Sequence, residues 1–193
     1  MRPDILNHGY SVGSKAIFKM IRLFSGHPVP DAAKLVFYRP DFYGTAAKKF
    51  THETMRGPSD WSVGDRELMA AYVSKLNESA FCINAHTATA TQAYDDAPRV
   101  KAVLENLDSA PIEEPLRATL GMLATLLTKQ SLTTQDIQVV LSAGASPQQI
   151  KDALAVLAAF NTTSRLADAF AFDLMTPEAF DAGAKYLLKR GYN

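Results

Sequence analysis

Several scarcities narrow what this 193-residue chain can be. Cysteine is nearly absent. One residue, Cys82, excludes an internal disulfide framework and fits a reducing cytoplasm, where a thiol stays free for chemistry. An excess of charge is missing too, because 20 Lys and Arg balance 20 Asp and Glu, and no Lys/Arg block of five or more occurs. Neither nucleic acid nor a membrane surface is therefore expected as a partner. Long apolar runs are absent: the N-terminal AIFKMIRLF is broken by Lys19 and Arg22, and reads neither as a signal peptide nor as a span of about 20 apolar residues. His8, His27, His52 and His86 show no HxxxH or HExxH spacing, so no metal site is expected. GxxxxGK[ST] is missing, and no cofactor is expected. No alternating apolar and polar run is closed by an Asn-Gly or Asp-Gly turn, which leaves an all-α fold in a single domain over 1–193.

What the chain does contain is concentrated in WSVGDRELMAAYVSKLNESAFCINAHTATA, residues 61–90. Ser62 followed by Asp65 is a helix start, since a hydroxyl and an early carboxylate satisfy free backbone N–H groups. The helix it opens carries Leu68, Tyr72 and Leu76 on one stripe, with Glu67 at its edge. Asn77 and Glu78 break the pattern. Ser79 then offers a second N-cap, and FCINAHTATA reads as helix, placing Cys82 in the first turn and His86 one turn on along the same face. A thiol reacts as thiolate, and a helix N-terminus with a nearby imidazole lowers its pKa from about 8.5 toward neutrality. Glu67, brought alongside by antiparallel packing, can take the thiol proton directly or through water while His86 relays or orients. Tyr72 and Phe81 flank this site as an apolar wall, whose burial of the thiol works against that lowering.

Around this centre the chain reads as further helices. A 1–60 extension includes an amphipathic helix from about Ser14 to Phe24, whose Ile17, Ile21 and Phe24 face needs cover. Pro115 opens a helix with Leu116, Leu120, Leu123 and Leu127 in a stripe suited to a deep core or a subunit interface. Thr133-x-x-Asp136 and Ser146-Pro147-x-Gln149 start two more, the second running to about Phe172. The 130–172 stretch is a weak internal copy of 61–95 in which Gln138, Gln149 and Ala153 replace Glu67, Cys82 and His86. A last helix follows Thr176-Pro177-Glu178 and stops at Gly191.

Glu67, then Ser79-Ala-Phe-Cys82, then Ile-Asn-Ala-His86 resembles the E…CxxCxxxH signature of the alkylhydroperoxidase D-like (AhpD-like) branch of the carboxymuconolactone decarboxylase superfamily. YRPDFYG upstream and LTTQDIQVVLSAGAS downstream resemble its peroxidase-related members, over roughly residues 30–172. The resemblance implies an AhpD-like helical fold, with Glu67 as base, Cys82 as peroxidatic thiol and His86 as relay. Ser79 stands where the family has its resolving Cys, and Phe81 where some relatives carry His. With one Cys an external thiol reductant must close the cycle. The implied activity is reduction of a small-molecule hydroperoxide by a homo-oligomer, a dimer or trimer of dimers. Two alternatives stay open: acid/base chemistry on a carboxylated substrate of the decarboxylase type, with Cys82 only a wall residue, and a catalytically silent helical oligomer.

Overall fold

The computed structural model describes residues 4–192, apart from the side chain of Phe42. A 3-10 turn at Asp4–Asn7 leads into ten α-helices: α1 Val12–Ser25, α2 Asp31–Tyr38, α3 Thr45–Arg56, α4 Val63–Leu76, α5 Ala80–Tyr94, α6 Ala97–Glu105, α7 Glu114–Lys129, α8 Thr134–Ser142, α9 Pro147–Ala169 and α10 Pro177–Arg190. A π-helical turn, Pro40–Gly44, joins α2 to α3. No strand occurs among the described residues, as the sequence predicts.

α4 is the axis of the molecule. Ser62 and Asp65 form the expected capping box, worth about 1 kcal/mol. Beyond Asp65 every residue from Arg66 to Ser74 is buried, so the helix is enclosed on all sides and its apolar positions form no single stripe. It packs against α5, α9, α7, α6 and α3. Gly64 is what lets α5 come close: a Cβ there would stand 2.7 Å from the Tyr94 ring, whose hydroxyl donates to Asp65 at 2.5 Å. The short link 77–79 turns the chain back, with Glu78 in the left-handed region, and sets α4 and α5 side by side in opposite directions.

The Leu116, Leu120 and Leu123 stripe of α7 is buried within this chain's own core, with Leu127 partly buried against it. α8 and α9 both begin with capping boxes at the expected residues, repeating the start of α4. α9 stops at Ala169 rather than near Phe172. The one Trp, Trp61, ties the start of α4 to α9, its indole N–H donating to the Gln149 carbonyl at 2.8 Å.

α1 departs from expectation. It forms where predicted, capped by Ser11 and closed by Gly26, but none of its residues is buried. Phe18 and Ile21 are half-buried, while Val12, Ile17, Met20, Leu23 and Phe24 are exposed, Leu23 and Phe24 at 76% and 84%.

Candidate functional site

Opposite chain directions in α4 and α5 bring Glu67 level with His86. The contact is a hydrogen bond of 2.8 Å between His86 Nδ1 and Glu67 Oε2, with Glu67 0% exposed. Two residues absent from the sequence reading complete the surroundings of this carboxyl group. Arg56, the last residue of α3, donates to Glu67 Oε1 at 2.6 Å, and the Tyr192 hydroxyl donates to Oε1 at 2.9 Å and lies 3.2 Å from Oε2. Burial alone raises a carboxyl pKa. Here the hydrogen bond and charge of His86, with those of Arg56, outweigh burial and hold Glu67 below its ordinary value. A carboxylate can only accept, so the hydrogen in the 2.8 Å bond sits on His86 Nδ1. That leaves Nε2 as the nitrogen through which the ring can give or take a proton. The ring is held from the side by Phe160 of α9, edge-on with centroids 4.2 Å apart.

Cys82 lies one turn nearer the α4–α5 link, about 6 Å along the helix from His86 by its four-residue rise. Its neighbours come from α9. Phe160, Ser164 and Asp168 repeat every fourth residue along one face of α9 and meet, in reverse order, His86 and Cys82 of α5 and its N-cap residue Ser79. Cys82 is 2% exposed, with Ser79, Ser164 and Asp168 around it. The expected lowering of its pKa is not what this environment produces. Burial pushes the thiol up, the hydroxyls of Ser79 and Ser164 pull it down by less, and the Asp168 carboxylate adds to the rise. Tyr43, whose pKa is raised by its own burial, also faces the sulfur.

Ser79 sits at the N-cap position predicted for it, but its hydroxyl does not cap. It donates to Asp168 Oδ1 at 2.9 Å, a charged acceptor that outcompetes a backbone N–H. Of the two expected wall residues, Phe81 stands beside Cys82, packed on Phe172 and Phe180 with centroids 5.3 and 5.7 Å away. Tyr72 does not. Five residues past Glu67 it points about 140° around α4, into the larger core cluster and toward Asp108. Among the described residues no group of three His, Cys, Asp or Glu side chains is arranged to hold a metal ion, and no helix is long and apolar enough to cross a membrane.

No protein-family model matches this chain, and no curated protein matches it by sequence. Solved structures do match in shape. An uncharacterized peroxidase-related protein from Silicibacter sp. TM1040 superposes with a TM-score of 0.77 at 24% identity, over 90% of this chain and 91% of that one. An uncharacterized peroxidase-related protein from Ralstonia eutropha JMP134, described as an alkylhydroperoxidase AhpD core, gives 0.76 at 18% identity over 95% of both chains. This chain has the AhpD-like fold. A Cys-to-Ala variant of the debrominase Bmp8, in complex with 2,3,4-tribromopyrrole, also matches, with a TM-score of 0.70 at 15% identity over 89% of this chain and 91% of that one. The AhpD-like fold thus occurs in proteins named for more than one chemistry.

Within the AhpD-like fold of this chain, Glu67 and His86 touch, Cys82 stands one turn away, and Arg56 and Tyr192 were invisible to sequence reasoning. Arg56 had one weak signal, a cation in the last helical turn before Gly57-Pro58. Tyr192 had none beyond Gly191.

Proposed function

We propose that this protein is a thiol-dependent peroxidase in which Cys82 reduces a small hydroperoxide. The observation that carries the reading is the buried 2.8 Å bond between Glu67 and His86, one helical turn from a buried thiol. A thiol pushed up by burial is protonated near neutrality and needs a base. Residues four apart on a helix have Cβ atoms about 5–6 Å apart, and in this reading a water or the bound peroxide bridges the thiol to Nε2 of His86. Glu67, with both oxygens engaged, anchors and charge-balances His86 rather than serving as the proton acceptor itself. The thiolate attacks the outer peroxide oxygen, the O–O bond breaks, and the proton held on His86 passes to the departing alkoxide. Cys82 becomes a sulfenic acid and the hydroperoxide an alcohol. One external thiol displaces water from the sulfenic acid to give a mixed disulfide, and a second releases Cys82 while forming the small disulfide. Ser79 cannot do this work. Homo-oligomeric assembly belongs to the same reading.

A second reading has its own support, since His86 is held by Glu67 while Cys82 lies buried against Ser79, Ser164 and Asp168. His86 would then act as acid and base on a carboxylated substrate without the thiol. One experiment separates them. On treatment with a stoichiometric alkyl hydroperoxide, the peroxidase reading expects the protein mass to rise by one oxygen, a dimedone-type probe to label Cys82, and the oxidation rate to fall roughly 100- to 10,000-fold in His86→Gln. An unreactive Cys82, with activity on a carboxylated or brominated substrate surviving in Cys82→Ala, removes it.

A further inference from the structure

Tyr192 reaches Glu67 by a route the chain has built with care. After α10 the backbone passes through Gly191 at φ +69°, where a Cβ would lie 2.6 Å from the His52 ring, so this turn accepts glycine and little else. The Tyr192 amide then donates to His52 Nδ1 at 3.2 Å, and the Arg56 guanidinium lies over the phenol ring at 5.1 Å. The ring itself is nearly parallel to His86, at 21° and 6.5 Å between centroids. A phenol fixed this firmly on a buried carboxylate is more than filler.

We propose that Tyr192 is a positioning residue of this site: by sharing the Glu67 carboxylate with His86 and Arg56, its hydroxyl sets how strongly Glu67 draws on the Nδ1 proton of His86, and its ring keeps water from that bond. A carboxylate divided among three donors gives less to each, and removing one makes it a stronger acceptor for those that remain. A stronger pull at Nδ1 makes Nε2 more basic, so Tyr192 tunes the nitrogen that the proposed function uses as its base. The functional part of the inference rests on that reading, whereas the hydrogen-bond part does not. The ionisable groups joined in this cluster are Glu67 of α4, His86 of α5, Arg56 of α3 and Tyr192 beyond α10. α9 presents the uncharged Phe160.

The test uses the whole protein and the Nδ1 proton of His86, followed by NMR in nitrogen-15-labelled samples and assigned by its loss in His86→Gln. A ring proton in a closed bond to a carboxylate resonates far downfield. In Tyr192→Phe, which keeps the ring over the site and removes the hydroxyl, that resonance is expected to move further downfield. In Tyr192→Ala, and in Gly191→Ala, which touches neither Glu67 nor His86, it is expected to vanish through exchange with water. Backbone amide shifts away from the site report that each variant is folded. A resonance at the same position in Tyr192→Phe as in the native protein overturns the proposal, as does one that persists in Tyr192→Ala. Peroxide reactivity of Cys82 is scored separately, so a failed peroxidase reading and a failed role for Tyr192 leave different records.

Discussion

A carboxylate with no exposure at all is tolerated at position 67 because three donors converge on it. Isolated, such a charge would cost several kcal/mol or would take up a proton. The consequence is a defined dependence on pH. The Glu67 pKa is lower in the folded protein than in the unfolded chain, so its contribution to stability is complete above the unfolded value, about 4.3, and is lost as pH falls through the folded value. Urea unfolding measured from pH 7 downward is expected to show native stability decreasing below about pH 4.3, and Glu67→Gln to lack that component. At pH 7 the same variant should be less stable by roughly 3–5 kcal/mol, since it leaves Arg56 facing a neutral amide. Legibility at this scale followed pattern, not distance along the chain. Glu67, Cys82 and His86 were readable because they fall within one stretch with helical spacing. Arg56, only 11 residues from Glu67 but on another helix beyond Gly57-Pro58, and Tyr192, 125 residues away, belong to no such pattern, and only tertiary packing brings them to the carboxylate. The net rise of the Cys82 pKa was not legible for a related reason: a helix N-terminus can be seen in sequence, whereas Asp168 and the α9 face that buries the thiol cannot.

Helix starts were the most legible elements. Ser62, Thr133 and Ser146 each cap as their spacing demands, because the capping box is a local interaction completed within three residues. Ser79 shows the limit of that logic, its hydroxyl being taken by a carboxylate 89 residues away. The pairing of α4 with α5 depends on a contact no helix-start rule would single out, Gly64 beneath the ring of Tyr94. Gly64→Ala places a methyl 2.7 Å from that ring and must push the helices apart or turn Tyr94 off Asp65. Helix propensity favours alanine by about 1 kcal/mol, so stability would rise if space allowed. Thermal unfolding is instead expected to begin at lower temperature, with a net loss of about 1–3 kcal/mol from overpacking.

For the molecule as a whole, sequence and structure agree on the all-helical AhpD-like architecture and differ over what covers α1. An amphipathic helix was expected to bury its apolar face, yet in the single chain Val12, Met20, Leu23 and Phe24 remain in solvent. Apolar surface of this kind drives association. The double variant Leu23→Glu, Phe24→Glu is expected to give a smaller species than the native protein in light scattering at equal concentration. Equal masses would mean that this face takes no part in assembly. At the opposite extreme is the interior around Cys82, where α5 and α9 meet residue against residue with the sulfur 2% exposed. Protein interiors are packed as densely as molecular crystals, and extra atoms inserted into them displace their neighbours. Any atom joined to that sulfur must therefore be lodged by shifting α9 against α5, so the chemical state of one side chain is also a spacing between two helices, and is felt wherever those helices reach.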